Sequence, residues 1–199
     1  MSSFQSPALD NRATRDGELF YLADFLPPPV AAECFDKLYT ELDWQQEVAT
    51  IVGRRVPVPR LVCWHGDEGA IYHYSGLTHN PQAWTETLLE LKRSIESMSG
   101  HSFNSVLGNL YRDGQDSMGW HSDQEKVLGC NPFIASLSLG AERLFKIRHK
   151  KSGESVDIAL ASGSLLLMGG PLQHHWRHCV PKTQKPVAAR INLTFRKIL

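Results

Sequence analysis

The chain has 199 residues, 42% hydrophobic and 21% charged, with 21 Lys+Arg against 21 Asp+Glu. That make-up suits one soluble domain with enough chain to bury a core, and no apolar run, Leu165–Met168 included, approaches the roughly 18 residues of a membrane span. Four scattered cysteines (Cys34, Cys63, Cys130, Cys179) without a CxxC pair exclude a zinc ribbon and argue against a disulfide framework, and the polar N-terminus shows no apolar leader. The expected setting is therefore the cytoplasm, and the nucleus as well in a eukaryote.

Residues 1–17 are polar and aperiodic and read as a flexible tail before a single domain, 18–199. The apolar stretch Leu19–Leu26 leads into Pro27–Pro29, and Ala31, Phe35, Leu38 and Leu42 follow at helical spacing. Arg54, Arg55 and Arg60 flank a Gly53 turn and two prolines, which predicts a basic hairpin. A second helix is predicted with Asn80 as cap, Pro81 as first residue and Gly100 as stop. Its stripe of Trp84, Leu88, Leu91, Ile95 and Met98 reads as core.

After Gly100 the period changes to two, with strands predicted at 103–111, 133–140, 142–149, 154–160, 163–168, 174–180 and 188–196. Helices followed by many short strands predict an α+β, mainly β fold: a β-sandwich or a jelly roll (double-stranded β-helix), buttressed on one sheet by two N-terminal helices. Charge is polarised along it. Residues 1–139 carry a balance of −8 and residues 140–199 one of +8. Either the halves neutralise each other within one fold, or Arg143, Lys146, Arg148, Lys150 and Lys151 form a face for a polyanion.

The chemistry begins at His121-Ser122-Asp123. Residues two apart on an extended segment point to one side, so an imidazole and a carboxylate converge. One more histidine from His174, His175 or His178 would complete a facial triad, the arrangement that suits non-haem Fe(II) by leaving coordination positions open. The residue pattern alone leaves the three histidines equivalent. In the segment Arg190–Arg196, one face of a strand carries Arg190, Asn192, Thr194 and Arg196, and the other Ile191, Leu193 and Phe195. Two guanidinium groups with Asn and Thr between them suit a small dicarboxylate, and Asn109 and Tyr111 can add neutral donors.

The segments NLYRDG, WHSDQE, HCVP and RINLTFR, in this order, closely resemble the AlkB family of Fe(II)- and 2-oxoglutarate-dependent dioxygenases. The match covers residues 71 to 199 and is weaker from 18 to 70. The resemblance implies His121, Asp123 and His178 as iron ligands. It implies Arg196 as partner of the distal carboxylate of 2-oxoglutarate and Arg190 near the end bound to iron, with Asn109, Tyr111, Asn192 and Thr194 completing the pocket. Ile71–Thr78 resembles the nucleotide-recognition region of DNA-repair members, so that residues 18–80 include a nucleotide-recognition hairpin and lid. Tyr72 and Tyr74 would stack on a flipped base and Glu125 would face its exocyclic group. Arg54, Arg55 and Arg60 would reach phosphate, and Val52 stands where duplex-repair relatives place an aromatic wedge.

The implied activity is oxidative demethylation of 1-methyladenine and 3-methylcytosine in DNA, with Fe(II), O2 and 2-oxoglutarate consumed and formaldehyde, succinate and CO2 released. The alternatives are the same chemistry on RNA or protein, or a non-catalytic jelly-roll module that binds metal. A monomer with a nucleic-acid partner and no membrane partner is expected.

Overall fold

Alternation along the strands decides the layers. In chain order the elements are β1 (Glu18–Leu22), α1 (Pro28–Glu41), β2 (Val48–Ile51), β3 (Arg54–Pro57), β4 (Leu61–Gly66), β5 (Tyr72–Tyr74), β6 (Leu77–His79) and α2 (Glu86–Ser99). There follow β7 (Ser105–Tyr111), β8 (Met118–His121), β9 (Ile134–Gly140), β10 (Arg143–His149), β11 (Ser155–Leu160), β12 (Leu165–Gly169), α3 (Leu172–His175), β13 (Trp176–Val180) and β14 (Arg190–Arg196). The computed structural model describes residues 10–199 except Val52, Ser75 and Gly76, with backbone alone at 49–51, 72–74 and 77–79.

Two antiparallel sheets face each other. The larger has the order β1-β12-β9-β14-β7-β4 and the smaller β11-β10-β13-β8, while β2–β3 and β5–β6 are separate hairpins. Ile191, Leu193 and Phe195 of β14 join Leu137 and Leu139 of β9, Leu165 and Leu167 of β12, and the apolar faces of both long helices in one core. Leu166 and Met168 of β12 point the other way, into a second core with Phe145, Ile147, Ile158 and Trp176 of the smaller sheet. The run Leu165–Met168 is continuous because it is buried on both faces. This is the jelly roll expected, mainly β, with α1 and α2 packed on the larger sheet.

Helix α1 starts in the proline run as predicted, with Pro27 as its N-cap. Helix α2 starts five residues later than predicted. Gln82 is held extended beside His65, so the cap falls to Thr85, whose side chain accepts from Leu88 N–H at 3.3 Å. Gly100 ends it in the left-handed region (φ 72°), as expected. Leu88, Leu91 and Ile95 are buried, each contributing about 1.5–3 kcal/mol of apolar transfer.

Residues 10–17 differ from the expected flexible tail: they form a strap packed on the domain. Asn11 Oδ1 accepts from Ala13 and Leu19 N–H, Ala13 is buried, and Trp176 Nε1 donates to Arg15 O at 3.0 Å. Polar composition hid this because the strap is held by side-chain-to-backbone bonds rather than by apolar periodicity. The segment predicted as a strand from 174 also differs. His174 N–H closes a turn on Pro171 O at 3.0 Å, so 172–175 is helical and the strand begins at Trp176.

Candidate metal centre and cosubstrate pocket

Strands β8 and β13 pair with His121 opposite His178. The two rings meet edge to face, with centroids 4.3 Å apart. Asp123, just past β8, brings Oδ1 to 3.8 Å from His121 Nε2 and Oδ2 to 4.0 Å from His178 Nε2. One donor atom from each residue lies within 4.8 Å of the others. His121 Nδ1 faces the Gly119 carbonyl at 2.9 Å, so its proton belongs there and Nε2 keeps the lone pair that faces inward.

The surroundings hold these groups ready. Burial pushes the His178 imidazole down to about 3, with His121 adding to the effect, so it is neutral and ligand-competent at ordinary pH. Burial alone would raise the Asp123 carboxyl, but Arg196 and the two imidazoles overcome it and hold the group below its usual range. Arg196 Nη2 donates to Asp123 Oδ1 at 3.1 Å, and Gln173 Oε1 accepts from Asp123 N–H at 2.9 Å. Three inward donors with no fourth side chain among the described residues fit an ion that must keep positions open.

The helical turn of α3 separates the other two histidines from this centre. His174 Nε2 donates to the Cys130 carbonyl and lies 3.1 Å from Asn131 Oδ1. His175 groups with Asp16 and His149 in a second constellation of possible metal donors. There His149 Nδ1 accepts from Ser152 N–H at 3.0 Å, so the proton sits on Nε2, 3.2 Å from Asp16 Oδ2. A protonated Nε2 is a hydrogen-bond donor rather than a ligand, and this cluster ties the strap to the β10–β11 turn.

The cavity at the triad is lined from β14 by Arg190, Asn192, Thr194 and Arg196, and from β7 by Asn109 and Tyr111. Its two arginines stand at opposite ends from those the resemblance implies. Arg196 lies at the metal end, bonded to Asp123, whereas Arg190 lies at the far end against Tyr111, whose ring centre is 5.1 Å from the guanidinium carbon. The reason is strand direction: the C-terminal end of β14 is the end beside the triad.

Arg190 is 1% exposed, and its Nη2 donates to Ser138 Oγ at 2.9 Å; among the described residues its Nε and Nη1 meet no hydrogen-bond partner within normal bonding geometry. Burial lowers it to about 10, partly offset by Tyr111, so it stays cationic at neutral pH. A buried cation with unused donors fits an incoming carboxylate.

Asn192 and Thr194 serve the frame. Asn192 Nδ2 donates to Ser136 Oγ and Leu137 O, and its Oδ1 accepts from Thr194 Oγ1 at 3.2 Å. Arg60, expected at phosphate, is buried instead and donates from Nε to Asn109 Oδ1 at 2.7 Å. Arg54 and Arg55 are exposed on β3 beside the Gly53 turn (φ 74°). Glu125 is half-buried at the start of the turn 126–128. Val52 lies outside the described residues, as do the side chains of Tyr72 and Tyr74, whose backbones pair with His79 and Leu77.

The 143–151 segment is not a uniform basic face. Arg143 is buried and donates to the carbonyls of Asp113, Asp116 and Pro181; Lys146 pairs with Asp157 at 2.6 Å; Lys150 Nζ donates to Gln173 O and His174 O. Ser136, Ser138 and Gln173 were missed by sequence reasoning, and Arg60 was given a different role. Only the serines left a signal, alternating with Ala135, Leu137 and Leu139 along β9.

Residues 18–196 match the model of the 2OG-Fe(II) oxygenase superfamily. The alpha-ketoglutarate-dependent dioxygenase alkB homolog 3 of Bos taurus is 43% identical over 178 residues, covering 84% of this chain and 62% of its own length. The DNA oxidative demethylase ALKBH2 of Homo sapiens is 41% identical over 179 residues, covering 82% of this chain and 69% of its own length. This chain thus spans 62% to 64% of the length of the two bovine relatives it matches. The solved structure of OsALKBH1 superposes with a TM-score of 0.61 at 16% identity, over 90% of this chain and 97% of that one, a likeness of fold. The triad, the paired arginines on one strand face and these matches agree: the chain belongs to the AlkB family of the 2OG-Fe(II) oxygenase superfamily.

Proposed function

We propose that residues 18–199 act as one catalytic unit, a monomeric oxidative demethylase that removes N-linked methyl groups from 1-methyladenine and 3-methylcytosine in DNA. The relatives named as dioxygenases and as a DNA oxidative demethylase support the reaction class. The observation that carries it is the buried Arg190, with two guanidinium nitrogens unpartnered among the described residues, in the same cavity as an open set of three metal donors. Four free cysteines support work in a reducing compartment, cytoplasm or nucleus.

His121, Asp123 and His178 would hold Fe(II). When bound, the iron supplies the oxidising power that hydroxylates the methyl carbon at the expense of O2 and 2-oxoglutarate, which leaves as succinate and CO2. Arg190 would take the distal carboxylate through its fork of donors, with Tyr111 at its side, and Asn109 would add a neutral donor. Arg196 would hold Asp123 ionised and aligned. The hydroxymethyl group, bonded to the base nitrogen, then departs as formaldehyde. Such lesions are cationic and pair badly, so extrusion costs less than the few kcal/mol of a normal base. Glu125 would face the exocyclic group, Tyr72 and Tyr74 would stack on the base, and Arg54 and Arg55 would contact phosphate.

The test is to incubate the protein with Fe(II), 2-oxoglutarate, ascorbate and oligonucleotides carrying either lesion. A base mass lower by one methylene, with formaldehyde and succinate formed in equal amounts, is the expected result. Succinate formed without loss of the methyl group, or demethylation of RNA or protein alone, would overturn the DNA assignment.

A further inference from the structure

Trp120 and Arg177 each precede a metal-site histidine, and alternation turns both away from the cavity to the outer face of the smaller sheet. There the Arg177 guanidinium carbon sits 5.3 Å from the centre of the Trp120 ring. The indole is 45% exposed, on β8, the edge strand of that sheet. An exposed tryptophan on a strand whose neighbours build the active site is a poor use of a large apolar ring unless something covers it.

Charge says what covers it. Arg148 lies opposite Arg177 in the β10–β13 register, so two guanidinium groups share this face. The nearby acids are committed elsewhere: Asp157 to Lys146 at 2.6 Å and Glu154 to Arg15 at 2.9 Å. Among the described residues, neither Arg148 nor Arg177 has a carboxylate partner. The face therefore offers a flat π surface flanked by unneutralised cations, matching an anionic polymer with aromatic faces of its own. Because a base can stack here only if its face is free, the match is to an unpaired strand.

We propose that Trp120 and Arg177 form a second nucleic-acid contact, on which an unpaired nucleotide flanking the lesion stacks after the strand passes over the β8 edge. This rests on the nucleic-acid reading above and extends it to a preference for single strands. Trp120 takes the base and Arg177 the adjoining phosphate. An acidic protein partner would use the arginines but would have no need of a bare ring.

The test is fluorescence anisotropy with an end-labelled 15-nucleotide single strand and its duplex, over a salt series, for the parent, Trp120→Ala and Arg177→Gln. Trp120→Ala is expected to weaken single-strand binding about 5- to 150-fold with an unchanged salt slope, and to leave duplex binding within about twofold. Arg177→Gln is expected to lower the single-strand slope by about 0.7. Unchanged single-strand affinity in Trp120→Ala, or an equal loss on the duplex, overturns the proposal. The measurement needs no turnover, so failure of the demethylase assay and failure of this surface are read separately.

Discussion

Arg60 donates its Nε proton to Asn109 Oδ1 at 2.7 Å, and this bond fixes which end of the Asn109 amide faces the cavity. With Oδ1 occupied, Nδ2 is the end left to meet a ligand oxygen. Arg60 lies just ahead of β4 and Asn109 on β7, with Val62 and Asn109 paired across the two strands, so the contact is set by sheet register. Replacing Arg60 by Met should let the amide turn. The expected result is roughly tenfold weaker 2-oxoglutarate binding by calorimetry, the scale of one hydrogen bond to a charged group, with metal binding unchanged. Equal weakening of both would assign Arg60 a general structural role.

Metal binding should depend on His121, Asp123 and His178, and not on the other two histidines. Each Ala variant of the three should lose stoichiometric Fe(II) or Mn(II) binding under anaerobic titration. His174→Ala and His175→Ala should retain it, because their rings face the 130–131 loop and the strap. A loss in His174→Ala as large as in His178→Ala would place the centre elsewhere.

The arginines at the ends of β14 should separate in their effects. Arg190→Lys keeps charge but loses the fork, so the 2-oxoglutarate requirement should rise at least tenfold. Arg196→Lys should act first on metal affinity, through Asp123. Parallel titrations of cosubstrate and metal distinguish them, and the reverse pattern would restore the order that the resemblance implied.

Acid stability should report Asp116. Burial alone would raise its carboxyl, but Arg112, bonded through Nε at 2.8 Å and Nη2 at 2.9 Å, outweighs this with help from Arg143, and the group is held below its ordinary value. The unfolded chain therefore binds more protons at acidic pH, and stability falls as pH drops from the ordinary carboxylate range through the lower folded value. Asp116→Asn should be less stable than the parent at pH 7 and converge with it below pH 4 in denaturant titrations. A constant gap across that range would mean the ion pair contributes nothing.

Much of the fold was legible because most strands from β7 onward have two different faces. Arg190–Arg196 alternated polar and apolar, and the structure puts the apolar set against the helices and the polar set into the cavity. Strand β4 left no such trace. Val62–Gly66 is buried throughout, and its Cys, Trp and His carry no period. The start of α2 was misplaced because Asn80-Pro81 is a good helix signal locally, yet the backbone of Gln82 is taken by the neighbouring strand. The order of the arginines was illegible in principle, since spacing shows that two residues share a face but not which end approaches the metal.

Strand β14 lies between β9 and β7, with every residue buried. A slip of one residue against either neighbour would carry both guanidinium groups into the apolar layer beneath the helices and turn Phe195 toward the metal donors. Misassembly here cannot produce a sluggish enzyme with a tolerable interior; it ruins the interior at the same moment as the chemistry. One strand pairing thus decides both the packing of the interior and which side chains line the cavity.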